Sequence, residues 1–150
     1  MTDDRSDTRN EPRGGSGNGF MLEKIRSAPV QPYQEGRYVL RVLVTTGRVS
    51  GARRPVPIAV IQLDDRRYVC APNRGRDWVR NLLAAGECEI EGDPGAKYQA
   101  VLVEDAGAAR VVARYLDLLD RWSSEWPFPA GAGVPEIEPH TREFAVFRLT

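Results

Sequence analysis

From Arg37 to Val44 the chain alternates Arg37, Val39, Arg41 and Leu43 with Tyr38, Leu40, Val42 and Val44. One set is wholly apolar and the other mixed, which is the two-residue period of a strand. "VPIAVIQL" (56–63) and "RYVCA" (67–71) predict two further strands around the turn "DDR", whose short polar residues suit a tight hairpin. "ECEIEG" and "KYQAVLVE" flank "DPGA" as a second hairpin, and "REFAVFRLT" supplies a last apolar strand. Two segments change period. "RDWVRNLLAAG" sets Trp78, Val79, Leu82 and Leu83 at helical spacing, with Asp77 at the positive end and Gly86 where a helix stops. "GAARVVARYLDLLDRWSSEW" gathers Val111, Val112, Tyr115, Leu116, Leu119 and Trp122 on one face and Arg114, Asp117 and Arg121 on the other. Hairpins interrupted by helices predict a mainly β fold of the α+β class, an antiparallel sheet that curls into a barrel and hides its edges, with two main helices.

Ahead of this pattern, residues 1–19 are polar, charged and glycine-rich. They offer too little apolar area to offset the entropy of ordering, so a disordered tail is expected there and one folded domain over 20–150. "FMLEKIRSAPVQPYQEG" begins with a short helical turn, after which Pro29 and Pro32 force an extended approach to the first strand.

An apolar fraction of 41% in 150 residues fills one ordinary core. No run nears the roughly 18 apolar residues of a membrane span, and the first twenty residues lack a signal peptide's apolar centre, so a cytoplasmic protein without an integral membrane segment is expected. Cys70 and Cys88 fall inside apolar strands and read as reduced core residues, and His140 is the single histidine, which argues against a metal site. The formal net charge is zero, but residues 37–80 hold ten Arg and Lys against three Asp and Glu, and residues 81–150 hold six against twelve. A neutral chain with one basic third is poorly suited to nucleic acid and better suited to one small anionic ligand. Arg37, Arg41, Arg66 and Arg67, on a strand and in a turn, are expected only to solvate surfaces. "TTGRVSGARRPVPI" (45–58) differs: arginines and glycines sit together in what reads as a long basic connection between two strands. It is either a solvated turn or a seat for an anion.

That stretch, "YVCAPNRG" about a dozen residues later, "WVRNLLAAGECEIE" and the terminal "REFAVFRLT" together resemble the deazaflavin-dependent nitroreductase family. The family pattern reads Thr-x-Gly-Arg-(Lys/Arg)-(Ser/Thr)-Gly-x-x-Arg-x-x-Pro, then Ala-Ser-x-Gly-Gly, then Trp-Tyr-x-Asn-Leu and a closing (Val/Ile)-Phe-x-Leu strand. The likeness covers about residues 38–150. It implies a split β-barrel of the FMN-binding type that holds coenzyme F420 and passes hydride from its reduced form to a small, apolar, electron-poor acceptor such as a quinone, nitroaromatic or activated alkene.

The coenzyme carries a phosphodiester and an oligoglutamate tail, so its seat needs guanidinium groups and free backbone N–H groups close together. By position in the motif, Arg48, Ser50, Arg54 and Pro57 match family residues, the first three on the phosphate and tail side, while Arg53 has no counterpart and is expected to reach the tail glutamates. Ala71, Pro72, Asn73, Arg74 and Gly75 run into a helix N-terminus and are expected beside the ring system. Trp78 belongs either to the core or beside the coenzyme. The chain departs from the pattern at Val49, where a cation is usual, at Pro72 in place of Ser, at Val79 in place of Tyr and in a shorter second loop. The segment "SSEWPFPAGAGVPEIEPH" has no tyrosine to serve an acceptor pocket and offers Trp126, Phe128 and His140 instead. No catalytic residue is named by the sequence. An FMN-using relative on the same barrel and a non-catalytic deazaflavin-binding protein are the other readings, and either a monomer or a homodimer is expected.

Overall fold

Six strands close into one antiparallel barrel in the computed structural model, which describes residues 16–93 and 97–150. The strands are β1 (Tyr38–Thr46), β2 (Arg53–Leu63), β3 (Arg66–Ala71), β4 (Glu87–Ile90), β5 (Lys97–Leu102) and β6 (Ala145–Leu149), in the spatial order β1-β2-β3-β6-β5-β4. The helices are α1 (Ser16–Ser27), α2 (Asp77–Ala85), α3 (Ala106–Leu119) and the short α4 (Val134–Ile137). The expected α+β barrel is therefore present. At the β2–β3 hairpin Asp64 and Asp65 both take positive φ, 53° and 60°, the twist a two-residue turn needs between right-twisting strands. Gly86 ends α2 at φ 72°, its N–H returning to Leu82 O. The Asp105 carboxylate accepts the Gly107 N–H at 2.9 Å and caps α3.

Two apolar cores follow from strand alternation. Val39, Leu43, Ile58, Val60, Val69, Ala71, Phe147 and Leu149 fill the barrel, joined by Trp78, Val79 and Leu82 of α2. The opposite face of β2, β3 and β6 presents Ile61, Leu63, Tyr68, Cys70 and Val146 to Ala108, Ala109, Val111 and Val112 of α3 and to Trp126, Phe128, Ile137 and Phe144. The alanines let α3 approach the barrel closely, and burial on this scale is what holds a sheet and helix together.

Two sequence expectations are corrected, and the face of β1 that the sequence leaves open is settled. The interior face of β1 is the mixed one: Val39 and Leu43 point inward, whereas Tyr38 and Leu40 stay 42% and 47% exposed. The third helix ends at Leu119, with Asp120 in the left-handed region, so Trp122 lies beyond it and donates its indole N–H to Phe128 O at 3.0 Å. Toward the N-terminus, α1 is three turns rather than one, because Met21, Leu22 and Ile25 are half-buried and α1 packs on β1 and β2. Arg26 fixes its end with two bonds to Glu91, at 2.9 and 2.7 Å. Residues 16–19 of the expected tail thus belong to a helix, and residues 1–15 lie outside the described residues.

The mixed face of β1 works because its cation is partnered. Arg41 is buried, pairs with Asp93 and donates to Gln31 O. The same carboxylate accepts hydrogen bonds from the Tyr33 and Tyr98 hydroxyls, both at 2.7 Å. The Tyr33 ring sits between two guanidinium groups, Arg41 at 4.3 Å and Arg67 at 3.9 Å from its centroid. Burial first, and then the adjoining Asp93 carboxylate, push the Tyr33 phenol well above its ordinary range. Of the four arginines expected merely to solvate surfaces, Arg41 and Arg67 are drawn into this network, and Arg37 and Arg66 are exposed.

Cys70 and Cys88 are free and buried, as expected, on opposite sides of the barrel wall. Burial raises both thiols, Cys88 to about 12 from 9.0. The unfolded chain loses these protons first as pH rises, so this contribution to stability is complete below pH 9.0 and declines above it. Iodoacetamide at pH 8 is expected to leave the native protein unmodified and to label both cysteines in denaturant. Rapid labelling of the native protein would contradict the burial.

Candidate functional site

The expected loop between the two strands is shortened from both ends, because Thr45, Thr46 and Arg53–Pro55 are strand. Register pairs Thr46 with Arg53 and Val44 with Pro55, which leaves only Gly47–Ala52 as the connection. It is held by Gly47 N–H to Ala52 O and Gly51 N–H to Gly47 O, each 2.8 Å. Gly51 needs its positive φ of 73°, and a Cβ on Gly47 would stand 2.8 Å from Ser50 Oγ and 3.2 Å from Arg54 Nε. Ser50 Oγ accepts from Ala52 N–H at 3.1 Å and from Arg54 Nη2 at 3.3 Å. Arg54 therefore lies across a bare glycine with its guanidinium in solvent.

The connection is fastened to α2. Buried Asn81 accepts both the Arg48 N–H at 3.1 Å and Arg48 Nη1 at 2.8 Å, and it donates to Thr45 Oγ1 at 3.4 Å. Asp77 Oδ1 takes Arg48 Nη2 at 3.3 Å. Since α2 is anchored in the barrel by Trp78, Val79 and Leu82, the first basic loop is held against the helix that follows the second. Asn81 stands at the Asn of the Trp-Tyr-x-Asn-Leu pattern, and an amide between Trp78 and Leu82 on an apolar helical face is itself a signal of a buried partner.

The second loop is tied down differently. Asn73 Oδ1 accepts the Gly75 N–H at 2.9 Å, and its amide donates to Glu125 at 3.2 Å, the same carboxylate that pairs with Arg76. Arg74 points to the C-terminal segment: Nε donates to Phe144 O at 2.7 Å, and Nη2 to Thr141 O at 3.0 Å and Glu104 at 2.9 Å. Its side chain is thus a strut between loop and barrel. Trp78 takes the core alternative, buried with its ring 6.3 Å from Phe147. Trp126 and Phe128 pack on each other and on Phe144 in the outer core, while His140 Nδ1 meets Glu143 at 2.8 Å.

A seam joins the two loops. β2 and β3 pair only over Ile61–Leu63 and Arg66–Tyr68, after which β3 continues along β6. Residues 53–60 of β2 are left paired on one side, to β1. Pro55 and Pro57 fall on this stretch, where a missing N–H costs no second ladder. Pro57 and buried Ala71 and Pro72 give the flanking strands an apolar character, and Gly47–Ala52 and Asn73–Asp77 stand at the same end of the barrel.

The chain is thus a closed antiparallel barrel that carries two basic loops beside a one-sided strand. No family model matches the chain, and no curated protein matches it. Among solved structures it is similar to a candidate 5-nitroimidazole antibiotic resistance protein from Bacteroides thetaiotaomicron, at 11% identity and TM-score 0.49 over 85% of this chain and 76% of that one. It is also similar to an F420 reductase, at 15% identity and TM-score 0.49 over 81% and 94%. A structure of an F420-H2 dependent reductase, FDR-A, gives 17% identity and TM-score 0.46 over 81% and 100%.

Proposed function

We propose that the chain is an oxidoreductase that binds reduced coenzyme F420 along the seam and transfers hydride to an apolar, electron-poor acceptor such as a quinone, nitroaromatic or activated alkene. The observation that carries this reading is the fastening of Arg48 to Asp77 and Asn81, which unites the two segments whose sequence resembles the deazaflavin-dependent family. The residues present fit the anionic part of that coenzyme. Arg54 is exposed beside Ser50 Oγ, and the N–H groups of Val49 and Ser50 have no partner among the described residues. A set of free donors next to a guanidinium favours a phosphate oxygen. Pro57, half-buried on the one-sided stretch of β2, offers apolar contact for a ring, whereas Ala71, expected beside the ring, is wholly buried in the barrel core and Pro72 is buried next to it.

When bound, the coenzyme supplies the hydride, and the protein's part is to orient ring and acceptor and to hold the anion. All five tyrosines lie elsewhere: Tyr33 and Tyr98 on Asp93, Tyr68 and Tyr115 in the outer core, and Tyr38 on the outside of β1. Water is therefore the proton source in this proposal.

Fluorescence titration with F420 and with FMN, followed by an assay of reduced-coenzyme oxidation with each acceptor class, tests the reading. Tighter binding of F420 and acceptor-dependent oxidation are expected. Tighter binding of FMN would transfer the chain to flavin chemistry, and tight F420 binding without turnover would make it a carrier.

A further inference from the structure

The basic loops carry five arginines, yet four already face protein carboxylates. Arg48 pairs with Asp77 at 3.3 Å, Arg53 with Glu89 at 3.2 Å, Arg74 with Glu104 at 2.9 Å and Arg76 with Glu125 at 2.5 Å. Arg54 alone meets no carboxylate among the described residues, and its guanidinium donates only to Ser50 Oγ there. Register adds a second observation. Val44 lies opposite Glu89, so β4 runs Glu89 and Glu87 beside the end of β1 from which the first loop emerges.

We propose that this anion subsite seats one phosphodiester-sized group at Arg54 and gains no affinity from an oligoglutamate tail, so that coenzyme forms of every tail length bind alike. The inference rests on the coenzyme reading above. It departs from the expectation that Arg53 would reach the tail, for a physical reason. A tail carboxylate that engages Arg53 or Arg76 has to displace Glu89 or Glu125, and exchanging one exposed ion pair for another yields almost nothing. Lys97 on β5 is likewise paired, with Glu87 at 3.4 Å, so a tail carboxylate finds no free cation there either. One phosphodiester displaces no carboxylate at Arg54, where charge-assisted bonds can form directly.

Three deazaflavin forms separate the possibilities: ring and ribityl chain without phosphate, the phosphodiester form without glutamates, and a form with several glutamates. Titrated at low ionic strength, the second is expected to bind about tenfold or more tightly than the first, and the third within about twofold of the second. Glu89→Gln frees Arg53, and in that variant the glutamylated form is expected to gain about two- to fivefold over the tail-free form. Wild-type protein that binds the glutamylated form tenfold more tightly than the tail-free form overturns the inference while leaving the coenzyme reading intact. Tail-independent binding in Glu89→Gln as well overturns the ion-pair account of it. Failure of all three forms to bind overturns the coenzyme reading and this inference with it.

Discussion

Asp93→Ala is expected to lower the free energy of unfolding by about 3 to 5 kcal/mol, the cost of leaving one member of a buried ion pair alone. The variant strands the Arg41 guanidinium, whose Nε already lacks a partner among the described residues, and removes the acceptor of both the Tyr33 and Tyr98 hydroxyls. Glu91→Ala is the matched control, because it also removes a carboxylate paired with an arginine, but the Arg26–Glu91 pair is solvent-exposed. Its loss should cost about 1 kcal/mol or less. Urea titrations of the three proteins decide the matter, since equal midpoints for the two variants would show that the Asp93 network adds nothing beyond a surface pair.

The second large effect concerns the site. Arg54→Ala is expected to weaken F420 binding by about 1.5 to 3 kcal/mol, the worth of a hydrogen bond to a charged group, or roughly tenfold and more in affinity. Arg66→Ala removes the same charge from the exposed first position of β3 and should change affinity little. The pair of variants holds net charge constant. The Arg54 deficit should shrink with added salt, because screening already weakens the wild-type contact. An arginine that grips the coenzyme and not the acceptor leaves the rate at saturating coenzyme largely intact. Indistinguishable affinities of the two variants would remove Arg54 from the site.

Periodicity made the barrel legible: six strands, the turn at Asp64–Asp65 and the glycine stop of α2 were all written in local pattern. Alternation could not say which face of β1 turned inward, because that depended on Asp93, about fifty residues away, neutralising Arg41. Arg74 shows the same limit. As a basic residue before a helix it read as a ligand contact, yet the carbonyls of Thr141 and Phe144 take its guanidinium from the far end of the chain. The site was legible where its bonds are short in sequence, as with Gly47, Ser50 and Arg54, and illegible where Asn81 and Glu89 cross from other elements. Trp78 carried the right period for a core residue, and the barrel interior is where it lies.

The one-sided stretch of β2 has a meaning for the solubility of the chain as well. A bare strand edge is a template on which another molecule can add a strand, the first step of edge-to-edge aggregation. Pro55 and Pro57 withdraw two donors from that template, and Arg54, with no carboxylate partner among the described residues, sets a positive charge at its start that opposes the approach of a second copy. The prolines that suit a stretch with a single ladder also deny a second copy the donors it would need to build another.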